Sequence, residues 1–176
     1  PLFHSIVDLG PRYLVYMVSA MRSGEYNNVQ LQDLCEAMFR VTKISRSYLG
    51  GDDPEVWVNW WDVGRSKASQ QFELAYANWR SSLEGPDRDK MYQNLLDLGI
   101  MALPFAIEKI SAEKNQSLPV QIGLVQAVDY WTGGQVMKEI SKRRYPLQYW
   151  SGICCKWWDA RKNEWLLPPL ETKADR

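Results

Sequence analysis

Histidine is nearly missing from this chain: His4 is the single one in 176 residues. That scarcity removes most of the machinery for acid–base and nucleophilic chemistry at neutral pH. A serine or cysteine nucleophile needs an oriented imidazole beside it, and His4 stands among the first few residues. Metal sites of the zinc type need several His or Cys ligands at short spacing. Cysteine is scarce too. Cys35, Cys154 and Cys155 supply neither such a set nor a disulfide framework. Adjacent residues on a helix point in different directions, so a Cys154–Cys155 bridge is strained, and all three read as small apolar core residues. No metal and no cofactor are expected.

Net charge is missing as well. Lys plus Arg and Asp plus Glu both number 21. A neutral chain lacks the broad basic face that displaces counterions, so no nucleic-acid partner is expected. The densest basic cluster, Lys138, Lys142, Arg143 and Arg144, reads as a solvated helix end. No apolar run approaches the roughly 18 residues needed to span a bilayer. Gly50-Gly51-Asp52-Asp53 lacks the Lys and the preceding strand of a phosphate loop, and reads as an ordinary connection. Asn115-Gln116-Ser117 fits the glycosylation triplet, a pattern that arises often by chance. Pro1-Leu2-Phe3-His4 carries neither an initiator Met nor a signal-peptide pattern, so the chain is read as a fragment or processed form whose targeting signal lies outside it.

What is present is helical periodicity almost everywhere. Phe72, Ala75, Tyr76, Trp79 and Leu83 form one apolar stripe, with Ser69 read as its N-cap and Gly85-Pro86 as its stop. Asp53-Pro54-Glu55 opens a helix with a capping Asp, a Pro where no amide partner is lost, and a Glu on the positive dipole end. Helices are expected near 11–23, 29–45, 54–65, 68–83, 88–98, 101–113, 118–131, 135–143 and 146–162. Alternating strand patterns with paired turns are absent, so the fold class is all-α. Pro104 is tolerable only in a first turn, which places that helix start near Ile100 or Met101. The stretch after Trp165, with Pro168-Pro169, reads as irregular and frayed.

The chain also says the same thing twice. Ile6-Val7-Asp8-Leu9-Gly10 returns as Leu95-Leu96-Asp97-Leu98-Gly99, 89 residues on. Ala37, Val41 and Thr42 return as Ala127, Trp131 and Thr132 at an offset of 90, and Trp60-Trp61-Asp62 as Trp157-Trp158-Asp159 at 97. Ordered matches at nearly constant spacing mark an internal duplication. The reading is one domain over 1–176, with copy one near 1–84, copy two near 85–167 and an irregular tail 168–176.

Leu98-Gly99-Ile100-Met101-Ala102-Leu103-Pro104, a helix end, a Gly turn and a Pro-started helix, resembles the hairpin of HEAT-like or armadillo-type repeats. The Trp-Trp-Asp ends resemble those of HEAT-like bacterial proteins without assigned function. In the first copy Pro11 follows Leu9 by two residues rather than six, a departure from that pattern. The resemblance implies a short right-handed α-solenoid of helical hairpins, two copies of about 90 residues, whose relatives are mainly interaction scaffolds. With it comes a lean toward a bacterial cell-envelope or secreted protein.

Seven of the nine tryptophans cluster at 57, 60 and 61 and at 150, 157, 158 and 165. Rings at matching places in two copies favour packing between hairpins; an exposed platform for a sugar, peptide or cation is the alternative. Asp62 and Asp159 follow the paired Trp in both copies and read as helix caps or partners of an indole N–H. Catalysis would need a convergent carboxylate pair, such as Asp62 with Glu36 or Asp159 with Asp129. The expected function is a non-enzymatic module binding a protein or peptide. The alternative is a carbohydrate or small-ligand binder, or a weak hydrolase, and the surface residues for either are Trp57, Trp60, Trp150, Trp165, Asp62 and Asp159.

Overall fold

In the computed structural model, which describes residues 10–112 and 117–169, these residues are helical almost throughout and contain no strand. A 3-10 turn, Pro11–Tyr13, runs into α1 (Leu14–Ser23), followed by α2 (Asn28–Thr42), α3 (Arg46–Leu49) and α4 (Pro54–Asp62). A second turn, Gly64–Lys67, leads into α5 (Ala68–Ser81) and α6 (Arg88–Leu96). A third, Gly99–Ala102, leads into α7 (Leu103–Ala112), then α8 (Leu118–Trp131) and α9 (Gln135–Lys142). Leu147–Tyr149 is the last turn and opens α10 (Trp150–Trp165).

Local chemistry explains most of the starts. Asn27 and Gln30 cap α2 reciprocally: the Asn27 side-chain oxygen accepts from Gln30 N at 3.0 Å, and Gln30 Oε1 accepts from Asn27 N at 3.1 Å. Asp53 occupies the cap position of α4 as expected, with Pro54 first in the helix, although its carboxylate accepts no cap bond. Pro104 is the second residue of α7, where its missing amide costs nothing. Ser69 does not cap α5. The turn Gly64–Lys67 feeds directly into that helix, leaving Lys67 at the cap and Ser69 inside the first turn. The short α3, capped by Ser45 accepting from Tyr48 N at 3.1 Å, was not foreseen. Its four residues are too few for a periodic pattern to register.

Two groups of helices pack alike. α1, α2 and α4 pack on one another, with α3 against α4; α7, α8 and α10 do the same, with α9 against α10. Leu14–Ser23 and Leu103–Ala112 are both 10 residues long and start 89 residues apart. Leu14, Met17, Val18 and Met21 are buried in the first; Leu103, Ala106, Ile107 and Ile110 are buried at the same steps in the second. Thr42 and Thr132, both buried near the end of their helices, each donate a hydroxyl hydrogen bond four residues back, to Met38 O and Val128 O. Trp60, Trp61, Trp157 and Trp158 are all buried. Between the groups lies the α5–α6 hairpin, which meets α8. At that contact a Cβ on Gly123 would fall 2.5 Å from the Trp79 ring, and Tyr92 donates its hydroxyl to Gly123 O at 2.8 Å.

The groups are joined at Gly99. Its φ is +63°, and a Cβ there would sit 2.6 Å from Ile44 N and Cγ1 and closer still to the Thr42 carbonyl oxygen. Ser45 N donates to Asp97 O at 3.0 Å, and the Trp131 indole donates to Leu96 O at 2.9 Å. At the other end, α10 packs on the Pro11–Tyr13 turn. The stretch beyond Trp165 is irregular, yet it is tied down: Arg65 Nη1 donates to Pro168 O at 2.5 Å, and Leu167 packs on the core.

Gly10 also has positive φ, +75°, but a Cβ there meets nothing within 4 Å. Gly10→Ala should therefore cost only the backbone strain, about 1 kcal/mol, whereas Gly99→Ala adds overpacking and should cost about 3 kcal/mol. Urea unfolding of both variants checks this; equal losses would show that the Gly99 contact carries no packing constraint.

Candidate functional site

The six surface candidates are not brought together. Trp57 is fully buried, Trp60 is 3% exposed and Trp165 9%. Trp57 meets Phe39 edge-on at 4.7 Å and Trp60 at 5.6 Å, and Trp157 lies 6.0 Å from Trp165. These rings fill space between helices, so the first three do not form an exposed platform. The indole nitrogens of Trp57, Trp60 and Trp165 are buried without a hydrogen-bond partner. Aromatic edge contacts worth about 0.5–1.5 kcal/mol each offset part of that desolvation. Trp150 is half-buried and donates its indole N–H to Tyr145 O at 3.0 Å. Asp62 pairs with Arg22, and exposed Asp159 stands 3.9 Å from Lys162. Neither caps a helix or meets an indole.

The carboxylate pairs that catalysis would need are also engaged elsewhere. Glu36 bonds Arg40 at 3.2 Å and Arg46 at 2.5 Å, and Asp129 accepts from Met137 N at 2.8 Å, which tethers the start of α9.

The first of two large clefts lies where the helix groups meet, with a volume of about 680 Å³. Pro11 and Arg12 form one wall. Arg40, Val41 and Lys43 come from the end of α2, Trp131, Thr132 and Gly133 from the end of α8, and Glu164 and Trp165 from the end of α10. This cleft exists for a local reason. Lys43 and Gly133, 90 residues apart, both turn their helix ends with positive φ. The next residues differ: Ile44 is a buried side chain wedged against Gly99, whereas Gly134 at the matching step has no side chain to insert. Contact is tight on one side of the molecule. On the other, Gly10 and Gly133 line a cleft.

Arg12 and Lys43 have no ion-pair partner among the described residues; Arg12 lies over the Tyr13 ring at 5.1 Å. Arg40 is committed in part to Glu36. Sequence reasoning missed Arg12, Arg40 and Lys43; Glu164 it offers only as a carboxylate that could stand beside an exposed ring. The available signal was the replacement of Lys43-Ile44 by Gly133-Gly134 at the matching step.

The second groove, about 750 Å³, is acidic, with Asp33, Glu36, Asp52 and Asp53 around Arg46 and Phe39. Arg46 lies over the Phe39 ring at 4.4 Å and reaches Asp52 at 3.5 Å. Burial, reinforced by Asp53 and Asp52, pushes the Cys35 thiol up to about 11, so it is not a thiolate at neutral pH. Burial also pushes the Glu36 carboxyl up, but hydrogen bonds from Arg40 and Arg46 win and hold it below the ordinary carboxylate value.

No family model, no curated protein and no solved structure matches this chain. Among the described residues no helix is long and apolar enough to cross a membrane.

A carboxyl held low in the folded state stabilises the fold above its unfolded pKa and loses that contribution as pH falls through the folded value. The stability difference between wild type and Glu36→Gln should therefore be largest near pH 7 and shrink below about pH 4. Thermal unfolding across that range measures it. A gap that widens toward acid would show that the two arginines do not favour the carboxylate.

Proposed function

We propose that this chain is a non-enzymatic helical repeat module, two related units in a minimal HEAT-like right-handed α-solenoid, that holds a protein or peptide partner in the cleft between them. The observation that carries this reading is the cleft itself. Its volume, about 680 Å³, falls in the range of ordinary ligand sites, and its wall mixes cations, a carboxylate, backbone and indole edges. Support for the repeat comes from the recurrence of a Gly, a 3-10 turn and four helices in the same order. Repeat folds commonly present such inter-unit surfaces to partners.

The carbohydrate or small-ligand reading draws no support from the tryptophans, since sugar stacking needs exposed ring faces and most of these rings are buried. Its hydrolase variant has no paired carboxylates to work with at the candidate positions. Trp150 is the one candidate ring that is half-buried rather than buried.

Selection of a displayed random-peptide library on the immobilised chain tests the proposal. Peptides should enrich, bind at micromolar affinity, and shift the backbone amides of Arg12, Lys43, Thr132 and Gly133. Failure to enrich any peptide, or shifts confined to other faces, would contradict it.

A further inference from the structure

A neutral chain can still be polarised. From Leu118 to Trp165, the span of α8, α9 and α10, seven Lys and Arg stand against four Asp and Glu, a net charge of +3 in a chain whose total is zero. The excess gathers where α9 ends. Lys138, Lys142, Arg143 and Arg144 are all exposed there, and Arg161 of α10 acts on the same carboxylate as they do, Glu139. Lys142 Nζ donates to Glu139 at 2.7 Å; that bond first, then the charges of Lys142, Arg161 and Lys138, hold the Glu139 carboxyl below its ordinary value. The other carboxylates do not cancel this end. Asp129 is bound to Met137 N at the start of α9, Asp159 faces Lys162, and Glu164 lines the cleft.

The negative end of the α9 dipole accounts for Lys142, in its last turn, and for Arg143 at its cap. Arg144 needs another reason. Its φ is +49°, a left-handed conformation that glycine adopts more cheaply, so a cation stands where the backbone favours no side chain. Beyond it the chain turns apolar without turning inward: Leu147 is 45% exposed and Tyr149 54%. The loop between is held in place. Arg143 Nη1 donates to the Tyr145 hydroxyl at 3.2 Å, and the Trp150 indole donates to Tyr145 O at 3.0 Å. None of these residues lines either large cleft.

From this juxtaposition we infer that the end of α9 and the 143–149 loop dock on an anionic phospholipid bilayer, the cations against its headgroups and Leu147 and Tyr149 at its interface. A charged bilayer answers both features at once, with negative headgroups laid over hydrocarbon. Tyrosine suits that depth because its ring is apolar and its hydroxyl stays wet. A nucleic-acid backbone meets the cations but leaves Leu147 in water. Val136 and Ile140, the apolar face of α9, stay buried in the core, so the attachment is peripheral. It is also independent of the cleft, and its failure would not touch the peptide-binding reading.

Co-sedimentation of the full chain with vesicles tests the inference, using phosphatidylcholine alone and phosphatidylcholine mixed equally with phosphatidylserine. The chain should pellet with the mixed vesicles only, and less as salt rises. Arg144→Gly removes a charge and relieves the backbone, so it should fold at least as stably as wild type yet bind about fivefold more weakly. Glu139→Gln should bind about fivefold more tightly, a gain that misfolding does not produce. Leu147→Ser should weaken vesicle binding about three- to fivefold and leave any binding of a single-stranded oligonucleotide unchanged. Lys67→Gln, an exposed cation in the turn before α5, serves as the control and should change little. No pelleting, equal pelleting with neutral vesicles, or losses as large in Lys67→Gln as in Arg144→Gly overturns the proposal. So does an oligonucleotide that binds more tightly than the vesicles while Leu147→Ser has no effect, which would make the patch a nucleic-acid contact.

Discussion

Everything in this structure hangs on the seating of Gly99 against the end of α2. The chain passes there with positive φ and so close to Thr42 and Ile44 that only a hydrogen side chain fits. Beside that close approach Ser45 N donates to Asp97 O, and the Trp131 indole of α8 donates to Leu96 O at the end of α6. Ile44, buried by the same contact, closes the core between the two helix groups. A hydrophobic contact alone would tolerate some sliding. The two hydrogen bonds, one between backbones and one from the Trp131 side chain, hold the chain on either side of this junction in place, because they demand distances near 3 Å.

The site follows from that constraint by contrast. Where Ile44 wedges one side shut, Gly134 supplies nothing to wedge the other, and the gap is lined by side chains from four separate stretches of chain. Ile44 is buried against Gly99, whereas a side chain at Gly134, 90 residues on, would meet nothing within 4 Å. The same contrast assigns roles to the aromatic residues. Most tryptophans hold helices together, and the chemistry of the cleft is left to two arginines, a lysine and a glutamate at helix ends and turns.

Much of the fold was legible in the sequence because amphipathic periodicity, Pro and Gly act locally. The 118–131 helix, the placement of Pro104 at a helix start and the turn glycines all follow from neighbours within a few residues. Ser69 was misread because a 3-10 turn can replace a cap, and nothing in the sequence distinguishes the two. The candidate site was far less legible. Arg12, Lys43, Gly133 and Glu164 are distant in sequence, and no local pattern joins them. Ring burial was equally out of reach for Trp57 and Trp165, since the same residue type suits a core and a platform. Asp62 was read as a cap, yet its partner, Arg22, lies 40 residues away on α1.

The central claim is that the two helix groups stand or fall together through the Gly99 junction. Native-state hydrogen exchange, followed amide by amide in the wild type and in Gly99→Ala, tests it most directly. The account predicts that slow amides in α1, α2 and α4 share one opening free energy with those in α7, α8 and α10. It further predicts that Gly99→Ala lowers both sets by the same amount. A variant in which one group keeps its full protection while the other loses it would contradict the account, because the junction would then be a contact between two independent bodies.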